Sequence, residues 1–210
     1  GDYDTLHRWS IEHLEVFWEA YREFTGIITH APATHVLSDH IMPGAHWFNG
    51  MHVNFAENIL ERDFAGPALV ACVEPSAGGS EGDILSGCAH SYAQLRALVA
   101  RCARGLRAAG IGPGDRVAGY VANVPEAVIA CLACASLGAI WSSASPDFGL
   151  AALCDRFTQV EPKLVFASTH YRYNGRLFRT DAVIKALHAH LPSVQTVVSI
   201  PYPVDEPHIH

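Results

Sequence analysis

Two short stretches combine ligand-compatible residues with positions between regular elements. Ser145-Pro146-Asp147-Phe148-Gly149 follows an apolar run and precedes a helical pattern. In open α/β sheets, ligands lie outside the carboxyl ends of the strands, which is where this stretch falls. Backbone N–H groups at a helix start suit a phosphate or another polar ligand arm, while the acidic Asp147 opposes a phosphate. The second stretch, Thr169-His170-Tyr171-Arg172-Tyr173-Asn174-Gly175-Arg176, carries two guanidinium groups. Taken alone, it reads as a solvated basic loop.

Other patterns lack the context their chemistry demands. Ser76 to Gly82 resembles a phosphate loop, but such a loop needs a cation aimed at the phosphates. Here Glu81 and Asp83 stand in its place and no Lys follows, so a solvated hairpin turn is expected over residues 74–82. Gly110-x-Gly112-x-Gly114 runs helix, glycines, strand, whereas the dinucleotide fingerprint runs strand, glycines, helix. A dehydrogenase of that type therefore ranks low. Cys131-x-x-Cys134 lies inside an apolar helix with no second cysteine pair and no His partner. It reads as small buried hydrophobes in a reduced compartment. His46 and His52 lack a third ligand at recognisable spacing, and His208-Ile209-His210 is a weak pattern. No metal site is expected, and no catalytic residue is assigned.

The elements that must position the two stretches are organised around Arg116–Pro146. Val117–Val121 is apolar without alternation, as in a strand covered on both faces. Pro125 suits a first helical turn, and Asn123 suits the cap before it. Gly138 ends the helix, and the run from Ala139 to Pro146 carries a second strand. Two parallel strands joined by such a helix form a right-handed βαβ unit. Leu150–Val160 predicts a helix stopped by Pro162, and Lys163–Ser168 a strand. Asp181 caps a helix through His190, and Val194–Ile200 is the last strand. This alternation predicts an α/β fold with a mostly parallel, doubly covered sheet.

Upstream, Ser10–Phe24 predicts one amphipathic helix capped by Ser10, with Ile11, Leu14, Phe17, Trp18 and Tyr21 in an apolar stripe. Asn54 and Glu57 predict a capping box and a short helix, as do Ser91 and Gln94 for a longer one. Ala68–Val73 and Ile84–His90 read as strands. Two parts are expected: a leading helical segment, 1–46, and an incomplete α/β subdomain, 47–210.

The chain has 210 residues, half of them hydrophobic, and a net charge of −7. Ten acids against three arginines lie in residues 1–63, and the remainder is balanced at eleven each. That distribution is no nucleic-acid footprint. The longest apolar run, Ala127–Trp141, is too short to span a bilayer. With no recognisable leader, a cytoplasmic location is expected. The absence of an initiating methionine and the stop at His210 point to a fragment.

Five sets of residues resemble the acetoacetyl-CoA synthetases of the acyl-adenylate-forming superfamily. They are Trp47-Phe48-Asn49-Gly50 with Asn54-Phe55-Ala56-Glu57-Asn58, Gly114-Asp115-Arg116-Val117, Leu137 to Ser143 with Ser145 to Gly149, Asp155-Arg156-Phe157 with Glu161-Pro162-Lys163, and Tyr173-Asn174-Gly175. The resemblance implies a ligase that joins acetoacetate to CoA through an acyl-adenylate, with ATP and Mg²⁺ required in the complete enzyme. It also implies that Ser145, Pro146 and Asp147 lie along the CoA arm, and that Arg172 and Arg176 meet the CoA nucleotide phosphates, as guanidinium forks can. The Ser/Thr/Gly-rich ATP loop with its Lys, and the Lys of a C-terminal domain, have no counterpart in this sequence. The fragment alone is therefore expected to hold no bound cofactor and to be inactive, with ATP, Mg²⁺ and CoA belonging to the complete enzyme. The alternative is a non-catalytic α/β module that binds a nucleotide or a partner chain.

Overall fold

The structure is a computed structural model that describes residues 1–62, 64–72 and 89–202. The turn expected over 74–82, most of the strand expected at 84–90 and the Pro-containing tail from 203 lie outside the described residues. The chain divides into two compact units, Gly1–Ile59 and Leu60–His210.

The first unit opens with two helices, α1 (Tyr3–Glu12) and α2 (Leu14–Thr25), where the apolar stripe predicted one. Periodicity carries across His13, but its backbone does not: φ −128° and ψ 59° break the ladder. Asp2 caps α1 by accepting from the Thr5 N–H at 2.8 Å, and the Ser10 hydroxyl donates to His7 O inside α1 instead of capping. Residues 47–58 belong to this unit rather than to the α/β part. Isolated bridges pair Ala31 with His52 and Leu37 with Trp47, and Asn58 exchanges hydrogen bonds with both backbone groups of Ile28. Helix α3 (Phe55–Leu60) starts as expected, with Asn54 Oδ1 accepting from the Glu57 N–H.

In the second unit, β1 (Pro67–Val70) pairs antiparallel with β2 (Ala89–Ser91). Helix α4 (Tyr92–Ala108) follows with the full Ser91–Gln94 capping box. Then come β3 (Arg116–Tyr120), α5 (Pro125–Ser136), β4 (Ile140–Ala144), α6 (Leu150–Val160) and β5 (Leu164–Ser168). The cap of α5 is Val124, not Asn123, and no side chain bonds there. The expected loop at 169–176 is a hairpin, β6 (His170–Tyr173) and β7 (Arg176–Arg179). Its turn residues Asn174 and Gly175 take φ of 49° and 71°, the left-handed pair that a tight two-residue hairpin requires. Helix α7 (Asp181–His190) and β8 (Thr196–Ile200) complete the unit.

The main sheet has the order β4-β3-β5-β8 and every pairing is parallel. All five residues of β5 are buried, which explains apolar runs without alternation. Ala118, Tyr120, Val165 and Ala167 share a core with Leu153 and Phe157 of α6 and Leu187 of α7. Val117, Leu164 and Phe166 are also buried and, by alternation, face the other side. There α5 packs along α4 and against β4. The cysteines of the C-x-x-C belong to this packing. Burial pushes the Cys134 thiol up to about 12, with Cys102 and Cys131 adding to the effect.

Gly119 in β3 allows the Trp141 ring to lie across the sheet face toward Phe166, 6.1 Å between centroids. A Cβ at residue 119 would meet two indole carbons at 2.6 and 2.7 Å. Gly119→Ala is expected to lower stability by about 1–3 kcal/mol through overpacking. Trp141→Leu in the same chain should recover most of that loss, as measured by urea unfolding of the single and double variants.

Candidate functional site

In a parallel sheet every crossover helix begins at the carboxyl edge, so α5, α6 and α7 present their N-termini there, with their partial positive charge. The order β4-β3-β5-β8 reverses direction at the β3/β5 pair. That reversal is the switch point at which α/β sheets open a ligand crevice. Both stretches singled out in the sequence leave this edge, Ser145–Gly149 from β4 and the β6–β7 hairpin from β5.

Three buried hydroxyls build the edge. The Tyr120 hydroxyl, at the end of β3, lies 2.6 Å from Pro146 O and 3.0 Å from Phe148 O and donates its proton between them. The Ser168 hydroxyl, at the end of β5, accepts from the Ala122 N–H at 2.9 Å and so spans the switch point. The Thr180 hydroxyl, at the close of the hairpin, donates to Ser168 O. The Thr180 N–H bonds Thr169 O, and the Thr169 N–H bonds Ile200 O, which extends the network to the end of β8.

Within the first loop, Ser145 and Asp147 are exposed and Pro146 is buried. A turn bond runs from the Phe148 N–H to Ser145 O at 3.2 Å, and the Arg156 guanidinium covers the Phe148 ring at 4.6 Å. In the hairpin, Tyr171 stacks on Phe178. Burial raises the Tyr171 phenol above its ordinary value, and the Asp147 carboxylate adds to the shift. The two stretches therefore lie within electrostatic reach of each other. Arg172 pairs with Leu177 and Arg176 with Tyr173. Adjacent pairs project to opposite faces, so the two arginines occupy opposite faces of the hairpin. Arg172 is half-buried, while Arg176 is exposed at the tip.

Sequence reasoning missed Tyr120, Ser168 and Thr180, because a single hydroxyl in or beside an apolar strand carries no pattern. The hairpin itself had a signal, Asn174-Gly175 between two runs of aromatic and aliphatic residues. Neither lysine stands at this edge. Lys163 lies at the amino end of β5, its Nζ 2.5 Å from Asp115 Oδ1, and Lys185 is exposed on α7. Asp115 also accepts from the Gly112 N–H, and Arg116 donates to the carbonyls of Val160 and Glu161. The Gly-Asp-Arg turn thus ties the amino ends of the strands to the end of α6, on the side away from the candidate site. Among the described residues, no group of His, Cys, Asp and Glu is placed to hold a metal, and no helix is long and apolar enough to cross a membrane.

Comparison with known proteins gives these features a class. Residues 70–208 match the family model described as AMP-binding enzyme, and residues 3–59 match that of the acetyl-coenzyme A synthetase N-terminus. The chain belongs to the AMP-binding enzyme family, with one model matching in each compact unit. Within that family it is similar to acetoacetyl-CoA synthetases. It is 38% identical to that of Rhizobium meliloti over 98% of this chain and 30% of the relative, and 39% identical to that of Rattus norvegicus over 96% and 29%. A malonamoyl-CoA synthetase of Penicillium aethiopicum is 39% identical over 93% and 27%. The solved acetoacetyl-CoA synthetase from Streptomyces lividans superposes with a TM-score of 0.84 at 39% identity, over 99% of this chain and 31% of its own. The chain therefore spans about 30% of the length of the relatives it matches.

The Tyr120 phenol is pushed up to about 12, chiefly by burial, with Tyr171 and Asp147 adding. A phenol whose folded value exceeds its ordinary value near 10 stabilises the fold fully below pH 10, and that contribution is lost as pH rises through about 12. Urea midpoints are expected to fall between pH 10 and 12, and to fall less in Tyr120→Phe. An equal fall in both proteins would contradict the assignment.

Proposed function

We propose that the chain is the N-terminal part of an acetoacetate–CoA ligase and contributes the CoA-facing edge of that enzyme. The proposed overall reaction is that of the acyl-adenylate-forming enzymes. Acetoacetate attacks the α-phosphorus of ATP and releases pyrophosphate, converting a repelling carboxylate into a mixed anhydride with AMP as leaving group. The CoA thiolate then attacks the acyl carbon, giving acetoacetyl-CoA and AMP. The observation that supports the reading most directly is that the Asp147 loop and the arginine hairpin leave one edge of one parallel sheet. The 38–39% identity to acetoacetyl-CoA synthetases over nearly the whole chain supports the choice of acid. Malonamate, the acyl group named in one relative, has the same skeleton as acetoacetate with –NH2 in place of –CH3. Hydrogen bonding rather than size would separate the two.

Ser145, Pro146 and Asp147 are proposed to line the CoA arm, and Arg172 and Arg176 to meet its nucleotide phosphates. Because the two arginines lie on opposite faces, each is expected to act from its own side of the hairpin tip. In this reading ATP and Mg²⁺ are handled by other parts of the complete ligase, since neither Lys163 nor Lys185 stands at the carboxyl edge. Transfer of the adenylyl group needs such a cation to offset the charge developing on the phosphates.

Two measurements follow. The 210-residue chain is expected to show ATP–pyrophosphate exchange with acetoacetate only at background, and exchange above background would contradict its inactivity. In the complete ligase, calorimetric titration with CoA is expected to show affinity lowered about fivefold or more in each of Arg172→Ala and Arg176→Ala, the loss of a charge-assisted contact. Unchanged affinity in both variants would remove the phosphate role.

A further inference from the structure

The Tyr120 hydroxyl does something that the packing of its ring does not require. Tyr120 is 1% exposed, and its ring belongs to the core formed with Ala118, Ala144, Leu153 and Phe157. A phenylalanine ring would fill that space equally well. The hydroxyl instead reaches out of the core to the carbonyls of Pro146 and Phe148, at 2.6 and 3.0 Å. Those carbonyls belong to the peptide units on either side of Asp147-Phe148, so both units turn their oxygens inward. In a trans peptide the C=O and the N–H of one unit point in opposite directions. The N–H groups of Asp147 and Gly149 are therefore turned outward, to the open side of the edge. The Phe148–Ser145 turn bond closes the loop, and Arg156 covers the Phe148 ring, but neither acts on the Pro146 or Phe148 carbonyl.

We propose that Tyr120 is a positioning residue for the CoA-facing loop. It never meets the ligand. Its single proton holds two inward carbonyls, and through them presents the Asp147 and Gly149 amides to the CoA arm at the start of α6. This inference rests on the proposed reading of the edge as the CoA face. The requirement is for a donor at this point, and an ionised or absent hydroxyl would leave the two carbonyls facing the core without a partner.

The test compares the wild-type chain, Tyr120→Phe and Val194→Ala. Val194→Ala is a core truncation at the opposite end of the sheet, which lowers stability without touching the loop. Tyr120→Phe keeps the ring and hence the core. Amide exchange at residues 147–149 is expected to quicken about tenfold or more in Tyr120→Phe and to stay near wild type in Val194→Ala. In the complete ligase carrying the same substitutions, the CoA dissociation constant from calorimetry is expected to rise about five- to tenfold in Tyr120→Phe only, as for one lost buried hydrogen bond. Unchanged loop exchange in Tyr120→Phe overturns the proposal, as does faster exchange with unchanged CoA affinity. A loss of affinity as large in Val194→Ala also overturns it, because the effect would then be general destabilisation. If Arg172→Ala and Arg176→Ala leave the CoA affinity of the complete ligase unchanged, the reading of the edge fails and takes this inference with it. The exchange rates would still report whether Tyr120 orders the loop, which keeps the two failures distinguishable.

Discussion

Backbone groups that leave a sheet at a covered edge must find partners, and at the carboxyl edge of this sheet three buried hydroxyls supply them. Tyr120 serves two carbonyls beyond β4, Ser168 serves the Ala122 N–H beyond β3, and Thr180 serves Ser168 O at the end of β5. Each net bond is worth only about 1 kcal/mol, but leaving a buried group unpaired costs about 1–3 kcal/mol. The hydroxyls therefore specify where the connecting segments lie more than they add to stability. Parallel pairing puts the Asp147 loop and the hairpin on the same edge, and the hydroxyls tie their roots to the strand ends there.

The two edges of the sheet divide the labour by charge. At the amino edge, Lys163 and Arg116 are engaged by Asp115 and by the carbonyls ending α6. Lys163 with Gly112 holds the Asp115 carboxyl below its ordinary value. That edge is a staple. At the carboxyl edge, the tip arginine Arg176 is exposed and the helix N-termini face outward. Ligand recognition by the AMP-binding family is proposed for this side alone, and the Gly-Asp-Arg-Val residues that carry part of the family likeness serve the opposite one.

Much of this was legible in the sequence because burial on both faces leaves a plain mark. The βαβ unit at Arg116–Ala144 and the helix Leu150–Val160 follow from apolar runs punctuated by Pro and Gly. The family likeness is carried by residues that pack or turn. What escaped was whatever does not repeat. The break at His13 interrupts no apolar stripe, so periodicity sees one helix where the backbone makes two. Val124 caps α5 without a side-chain bond, which no capping rule would select over Asn123. The boundary at Ile59 reflects bridges between distant residues, such as Leu37 with Trp47, that have no local signature. At the site, Arg172 and Arg176 were visible as charges. Their separation onto opposite faces depended on recognising the Asn174-Gly175 hairpin.

Parallel pairing sets the edge on which both loops stand, and buried hydroxyls at the switch point fix how their roots lie on it. Hydrogen exchange at the Ala122 amide tests it most directly, since its acceptor is the Ser168 hydroxyl across the β3/β5 pair. The account predicts that this amide exchanges only with global unfolding, and that Ser168→Ala lowers its protection to the level of the hairpin amides. Fast exchange in the wild-type chain, or unchanged protection in Ser168→Ala, would contradict it.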